Sequence, residues 1–155
     1  MTTGFFAYSS KPKSSGESIE EAIADINAQN ITELNSWKNL TVSGKLIIDE
    51  VISAINSATY FCADLTGMSD NVLFELGYAI ARDKPVFLIL DTSHTNSLNR
   101  FRELDLLTTF GYSPYTNSQN IAKEFFDQKI FEQRIGVLGN LRKATSQKVL
   151  LAHEL

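Results

Sequence analysis

Asn71 and Glu75 stand four residues apart at the start of an apolar segment, a spacing that puts two side chains on one face of a helix. Upstream, Asp64 is the first polar residue after the run Ala58-Thr59-Tyr60-Phe61-Cys62-Ala63. An ionised carboxylate can attack the anomeric carbon of a sugar, or stabilise positive charge that develops there. The pattern places Glu75 in the first turn of its helix, where the helix dipole favours an ionised side chain. Phe74 and Leu76 flank it. A carboxylate among apolar neighbours is costly to bury, so it either faces water or serves a chemical purpose. The competing reading is a Glu75 that only complements its helix terminus, as acidic residues commonly do.

The elements that must position these residues follow from hydrophobic patterning. Phe5-Phe6-Ala7-Tyr8 reads as a buried first strand, followed by the polar, Pro- and Gly-punctuated loop 9–16. Ser18 with Glu21 makes a capping box ahead of the stripe Ile19, Ala22, Ile23 and Ile26. Residues 31–37 read as a short second strand, and Leu46, Ile47, Val51, Ile52 and Ile55 follow helical spacing from about Ser43. The run 58–63 suits a central parallel strand buried on both faces, and a turn through 64–71 feeds a helix over about 72–82. Pro85 to Leu90 is another buried strand, Ser97 to Leu104 reads as helical, and Leu106 to Tyr112 reads as the last strand. Ile121, Ala122, Phe125, Phe126 and Ile130 define a final amphipathic helix. This alternation predicts a three-layer, flavodoxin-like α/β fold with a mostly parallel five-stranded sheet. Ligands of such folds sit at the carboxyl ends of the strands, near a switch point. Residues 1–131 make that domain; 132–155 read as a C-terminal extension or a linker to a further domain.

Composition narrows the class. With 155 residues, 43 % of them hydrophobic and 21 % charged, the chain can bury one sizeable core. The net charge of −4, with scattered Lys and Arg, argues against a duplex nucleic-acid partner. No apolar run reaches the roughly 20 residues that span a bilayer. The lone Cys62, read as core, and a start without a leader segment set the expectation of a reducing cytoplasm. One Cys and isolated His94 and His153 give no metal-ligand pattern, and the glycines form neither a dinucleotide fingerprint nor a phosphate loop. Tyr8, Ser9 and Ser10 follow the first strand at the rim where a ligand would sit, with a plain polar loop as the competing reading. Asp91 reads as a turn former as readily as a rim residue, Arg82 as a solvated helix-end charge, and Trp37 as packing.

The stretch Asp64-Leu65-Thr66-Gly67, then Asn71 to Ala79, then Lys84-Pro85-Val86, resembles the segment around the catalytic glutamate of the nucleoside 2-deoxyribosyltransferase-like superfamily. The nearest resemblance is to its bacterial branch, which shades into Toll/interleukin-receptor-like (TIR-like) domains. Phe5 to Ser9 is similar to the first strand and loop of TIR-like domains. The resemblance implies that Glu75 attacks or stabilises the anomeric carbon of a ribosyl group, and that Asp64 helps to hold the sugar. The transferases usually carry Asp-x-Gly-Thr before the helix, where this chain has Ser69-Asp70-Asn71-Val72. That departure moves the expected substrate from a 2-deoxynucleoside to NAD or a related nucleotide, taken as substrate with no cofactor. The implied role is an N-glycosidase of bacterial antiviral defence, with Tyr8, Ser9, Ser10, Asp64 and Asn71 as substrate-binding residues and self-association expected. A non-catalytic nucleotide-sensing or self-association module, and a deoxyribosyltransferase, are the alternatives.

Overall fold

Strands form where apolar and aromatic residues cluster, and five of them build one sheet. The computed structural model describes residues 1–41, 43–44, 46–94, 96, 99, 102–103 and 111–154, with side chains up to 145. In chain order the elements are β1 (Thr2–Ala7), α1 (Lys13–Ala28), β2 (Thr32–Ser36), α2 (Ile47–Ser57), β3 (Tyr60–Asp64), α3 (Asp70–Ala81), β4 (Val86–Asp91), β5 (Ser113–Tyr115), α4 (Ser118–Gln128) and α5 (Val137–Glu154). Short 3₁₀ turns follow β2 at Trp37–Asn39 and α4 at Ile130–Glu132. The strand order is β2-β1-β3-β4-β5, and every pair is parallel.

Side chains alternate across each strand, so the sheet has two buried faces. Phe5, Phe61 and Leu88 point to the face covered by α2 and α3, through Val51, Ile55, Val72, Leu76 and Ala79. Phe6, Tyr60, Cys62, Phe87 and Ile89 point to the other, covered by α1 and α4 through Ile19, Ile23, Ile26, Ile121 and Phe125. Phe125 anchors this second layer, its ring 5.8 Å from those of both Tyr60 and Phe87. Cys62 lies wholly inside it, where burial pushes the thiol well above its ordinary range. The three-layer architecture is thus the one that the alternation of apolar runs implies.

Three boundaries differ from the sequence reading, each for a physical reason. Helix α1 begins at Lys13, directly after Pro12 (φ −69°), and Ser18 lies inside it rather than capping it. Burying Ser15 and Gly16 against the sheet outweighs the local capping signal. The last strand is Ser113–Tyr115 rather than Leu106–Tyr112, of which 106–110 lie outside the described residues. Ser113 and Tyr115 turn inward while Pro114 faces out, and an edge strand tolerates the missing N–H of a proline. The expected helix at Ser97–Leu104 falls largely outside the described residues. The segment after 131 continues into α5, where Asp83 in the turn after α3 accepts the Gly139 N–H at 2.9 Å. No described helix is long and apolar enough to cross a membrane.

One contact stitches the centre of the sheet. Gly4 of β1 stands opposite Tyr60 of β3, and the Tyr60 ring crosses over it to bond Thr32 of β2, oxygen to oxygen, at 2.8 Å. A Cβ at Gly4 would lie 2.1 Å from the ring. Gly4→Ala is therefore expected to lower the free energy of unfolding by about 1–3 kcal/mol, the usual cost of overpacking a filled core. Urea melts would read it, and an unchanged midpoint would mean that the ring has room to move.

Candidate functional site

The order β2-β1-β3 sets the location. The chain leaves β1 towards one side of the sheet and returns to form β3 on the other, so the loops after these strands part at a switch point. There the structure opens a cleft of about 300 Å³ between the ends of β1 and β2 and the starts of α2 and α3. Its lining combines polar side chains, Ser9, Ser10, Ser69, Asn71 and Glu75, with apolar and aromatic ones, Tyr8, Trp37, Ile47, Val51 and Val72. Apolar and aromatic side chains beside hydroxyl, amide and carboxylate groups suit a ligand that is itself part apolar and part polar, as a nucleoside is.

Helix α3 delivers the carboxylate. The Ser69 hydroxyl caps it, accepting the Val72 N–H at 3.3 Å. The helix therefore begins at Asp70, and Glu75 belongs to its second turn rather than its first. The dipole fades within one turn and does not hold the charge on Glu75. Asn71 and Glu75 still share one face, and both reach the cleft. Among the described residues Glu75 has no hydrogen-bond or ion-pair partner, and burial pushes its carboxyl up to about 7. The other residues lining the cleft carry no charge.

The opposite wall is braced from below. The Tyr8 hydroxyl donates to Glu20 Oε1, which also accepts from the Ser36 hydroxyl at 2.7 Å. Burial first, and Glu20 second, hold this phenol far above its ordinary range, so Tyr8 contributes a fixed neutral ring. The Trp37 ring leans on it, centroid to centroid 5.8 Å, and remains 41 % exposed. Lys38 places its ammonium 5.8 Å from the Trp37 ring centre. Sequence reasoning assigned Trp37 to packing and missed Glu20. Trp37 follows β2 at the same rim as Tyr8, and that position is the signal that could have found it.

Asp64 goes elsewhere. It is 2 % exposed and does not line the cleft, so the expected convergence of Asp64 with Asn71 and Glu75 is not what the chain forms. Its Oδ1 accepts the Thr66 N–H at 3.1 Å and the Thr66 hydroxyl at 2.6 Å. Burial raises its carboxyl to about 7, with the Thr66 donors pulling down and nearby Asp91 pushing up. Asp91 closes its own turn, accepting the Ser93 N–H and hydroxyl at 3.0 and 2.6 Å. Among the described residues no cluster of three metal-ligating side chains occurs.

No protein-family model matches the chain, and no curated protein matches it. Solved structures do. A CMP N-glycosidase from Clostridium botulinum, BcmB, is 20 % identical with a TM-score of 0.55, over 80 % of this chain and 98 % of that one. The TIR domains of the activated Roq1 resistosome are 11 % identical with a TM-score of 0.62, over 82 % and 99 %. BlsM is 19 % identical with a TM-score of 0.58, over 83 % and 91 %. At these identities the shared property is the fold, and it is the fold to which the stretch from Asp64 to Val86 bears its resemblance.

The burial of Glu75 has a measurable consequence. Its folded-state value, about 7, lies above the ordinary 4.5, so the fold favours the neutral acid. That contribution is fully present below pH 4.5 and is lost as pH rises through about 7. Glu75→Gln, which never ionises, is expected to match the parent at pH 4 and to melt at a higher temperature at pH 8. Equal melting temperatures at pH 8 would place the carboxylate in open water.

Proposed function

We propose that this protein is an N-glycosidase that cleaves the base–ribose bond of a nicotinamide nucleotide, with Glu75 as the catalytic carboxylate. The observation that carries the reading is a carboxylate that, among the described residues, has no partner and shares its cleft with no second acid. Hydrolysis of an ordinary glycoside uses two carboxyl groups, because the leaving oxygen must be protonated as the other group stabilises the sugar cation. A neutral nucleobase likewise leaves more readily when an acid protonates it. Here Asp64 is outside the cleft and the Tyr8 hydroxyl is committed to Glu20. A substrate whose base is already a cation needs no acid. When the nicotinamide–C1′ bond breaks, its electron pair returns to the ring nitrogen and the base departs neutral. Ionised Glu75 stabilises the positive charge left on C1′, and water adds there with loss of a proton.

The rest of the cleft supports the same substrate. Trp37 offers a ring face that already attracts an ammonium group, and a pyridinium ring is drawn to it by the same quadrupole. Asn71 and the serines of the β1 loop supply donors and acceptors for ribose hydroxyls. A cleft of about 300 Å³ lies at the small end of ligand sites, enough for the reacting half of a dinucleotide. The likeness to a CMP N-glycosidase supports a second reading, a pyrimidine nucleotide as substrate, with Asn71 hydrogen-bonding the base. The resemblance to TIR-like domains extends the proposal to antiviral defence, with depletion of NAD as the effect and self-association as the trigger.

Base release from NAD, nicotinamide mononucleotide, CMP and deoxynucleosides, followed by chromatography over a range of protein concentrations, tests the proposal. Nicotinamide is expected to appear, with kcat/KM rising as pH increases through about 7 while Glu75 ionises. Glu75→Gln should lower kcat by at least about a hundredfold, as when one preorganised electrostatic group is lost. A Gln variant as fast as the parent would make Glu75 inert and leave a nucleotide-sensing or assembly module. Trp37→Ala should raise KM roughly tenfold, within the ~1–3 kcal/mol that base stacking on an aromatic ring contributes. An unchanged KM would assign Trp37 to packing.

A further inference from the structure

The turn that carries the chain from β3 into α3 is tied to β4 twice, by the Leu65 N–H donating to the Ile89 carbonyl at 2.9 Å and, one residue on, by the Thr66 side chain. Thr66 is 1 % exposed and lies outside the cleft, so it touches no substrate there. Its hydroxyl donates to Asp64 Oδ1 at 2.6 Å and accepts the Asp91 N–H at 2.8 Å, while its own N–H donates to Asp64 at 3.1 Å. One oxygen thereby joins the end of β3 to the end of β4. Beyond it the chain has little freedom. Gly67 (φ +81°) and Met68 (φ +46°) are both left-handed, and the Met68 N–H closes the turn on the Leu65 carbonyl at 3.2 Å. Leu65 and Met68 are buried, and Ser69 then caps the helix.

The same network reaches the opposite wall. Asp91 Oδ2 accepts the Ser15 hydroxyl at 3.4 Å, and Ser15 lies in the first turn of α1, just past the loop that carries Ser9 and Ser10. The Tyr115 hydroxyl is buried among these groups without a well-formed hydrogen bond among the described residues. We propose that Thr66 is the positioning residue of this site. Its hydroxyl clamps the β3–α3 turn to β4 and thereby sets where the Glu75 carboxylate stands in the cleft. Valine has the same shape, but it leaves the buried Asp91 N–H without an acceptor and takes a donor from Asp64. The turn then keeps only the Leu65–Ile89 backbone bond to β4, and the segment from Thr66 into α3 shifts.

The kinetic arm of the test rests on the glycosidase reading; the spectroscopic arm does not. Thr66→Val is expected to lower kcat for base release by about 30- to 100-fold with KM held within about threefold, the scale on which a misplacement of ~1 Å acts. Thr66→Ser, which restores the hydroxyl, should recover kcat to within about threefold of the parent. Independently, a carbon-13 titration of the Glu75 carboxyl should give the same midpoint in the parent and Thr66→Ser. In Thr66→Val it should be displaced by more than about half a pH unit, because the desolvation that sets it depends on where the helix stands. The residues lining the cleft with Glu75, from the β1 and β2 loops, α2 and α3, include no other charged side chain to confuse the reading. A folded Thr66→Val with parental kcat and midpoint, or a Thr66→Ser as impaired as the Val variant, overturns the proposal. Should the Val variant fail to fold, hydrogen exchange in the parent decides. An Asp91 amide that exchanges as fast as exposed amides means that the clamp does not exist. A parent that releases no base defeats the glycosidase reading, and the titration still judges Thr66.

Discussion

Parallel pairing of β1 on both of its edges places everything else at the candidate site. Strand β1 bonds to β2 on one side and to β3 on the other, all running the same way. Their carboxyl ends therefore lie at one edge, and the segments that follow them start side by side. Tyr8 to Ser10 come from the first, Trp37 from the second and Ser69 to Glu75 from the third. These residues are far apart in the chain, and no local sequence preference could bring them together. The constraint that does so is register, and register depends on a ring passing over Gly4 to meet Thr32. A side chain at that glycine would press β1 apart from the amino-terminal end of β3.

Two braces hold the walls that the register brings together. On one side Glu20 accepts from Tyr8 and Ser36, fixing the ring against which Trp37 leans. On the other, Thr66 ties the turn before α3 to β4. In each brace one oxygen joins two partners, and neither Glu20 nor Thr66 lines the cleft. Glu75 is the contrast, a half-buried carboxylate without a partner among the described residues. Proteins often carry such local instability where chemistry requires it, since a charge already satisfied has little left to offer a transition state.

Much of this was legible in the sequence, and the parts that were not have identifiable causes. The strands at 58–63 and 85–90 are continuous apolar runs, which only a doubly covered parallel sheet explains, and the structure places β3 and β4 there. Asn71 and Glu75 declared a shared face through their spacing, and that survives a helix boundary misplaced by two residues, because relative position on a helix does not depend on where it starts. The start of α1 was misread because Ser18 and Glu21 form a local capping pattern, and tertiary burial of Ser15 and Gly16 overrides it. Strand β5 was misread because an edge strand of three residues with a proline carries almost no periodic signal. Glu20 could not be singled out, since its role consists entirely of contacts with residues from two other elements.

Asp64 and Glu75 make the deepest lesson, since by charge and by the direction of their titration they are alike. Each is a carboxyl group whose proton is held up to about 7, and in each case burial is the largest cause. Perturbed titration alone would nominate both as functional, and the resemblance nominated both as well. What separates them is the accounting of hydrogen bonds. Asp64 receives two donors from Thr66 on its Oδ1, sits beneath the surface and lies next to Asp91, so that oxygen is engaged in shaping a turn. Glu75 receives none among the described residues, and it opens on a cleft that Tyr8 and Trp37 also line. A desolvated charge with partners is a structural member, because ligand binding would have to break bonds already formed. A desolvated charge without partners gains most from whatever cation arrives. The position of Glu75 in the cleft, more than its titration, therefore makes it the candidate for chemistry.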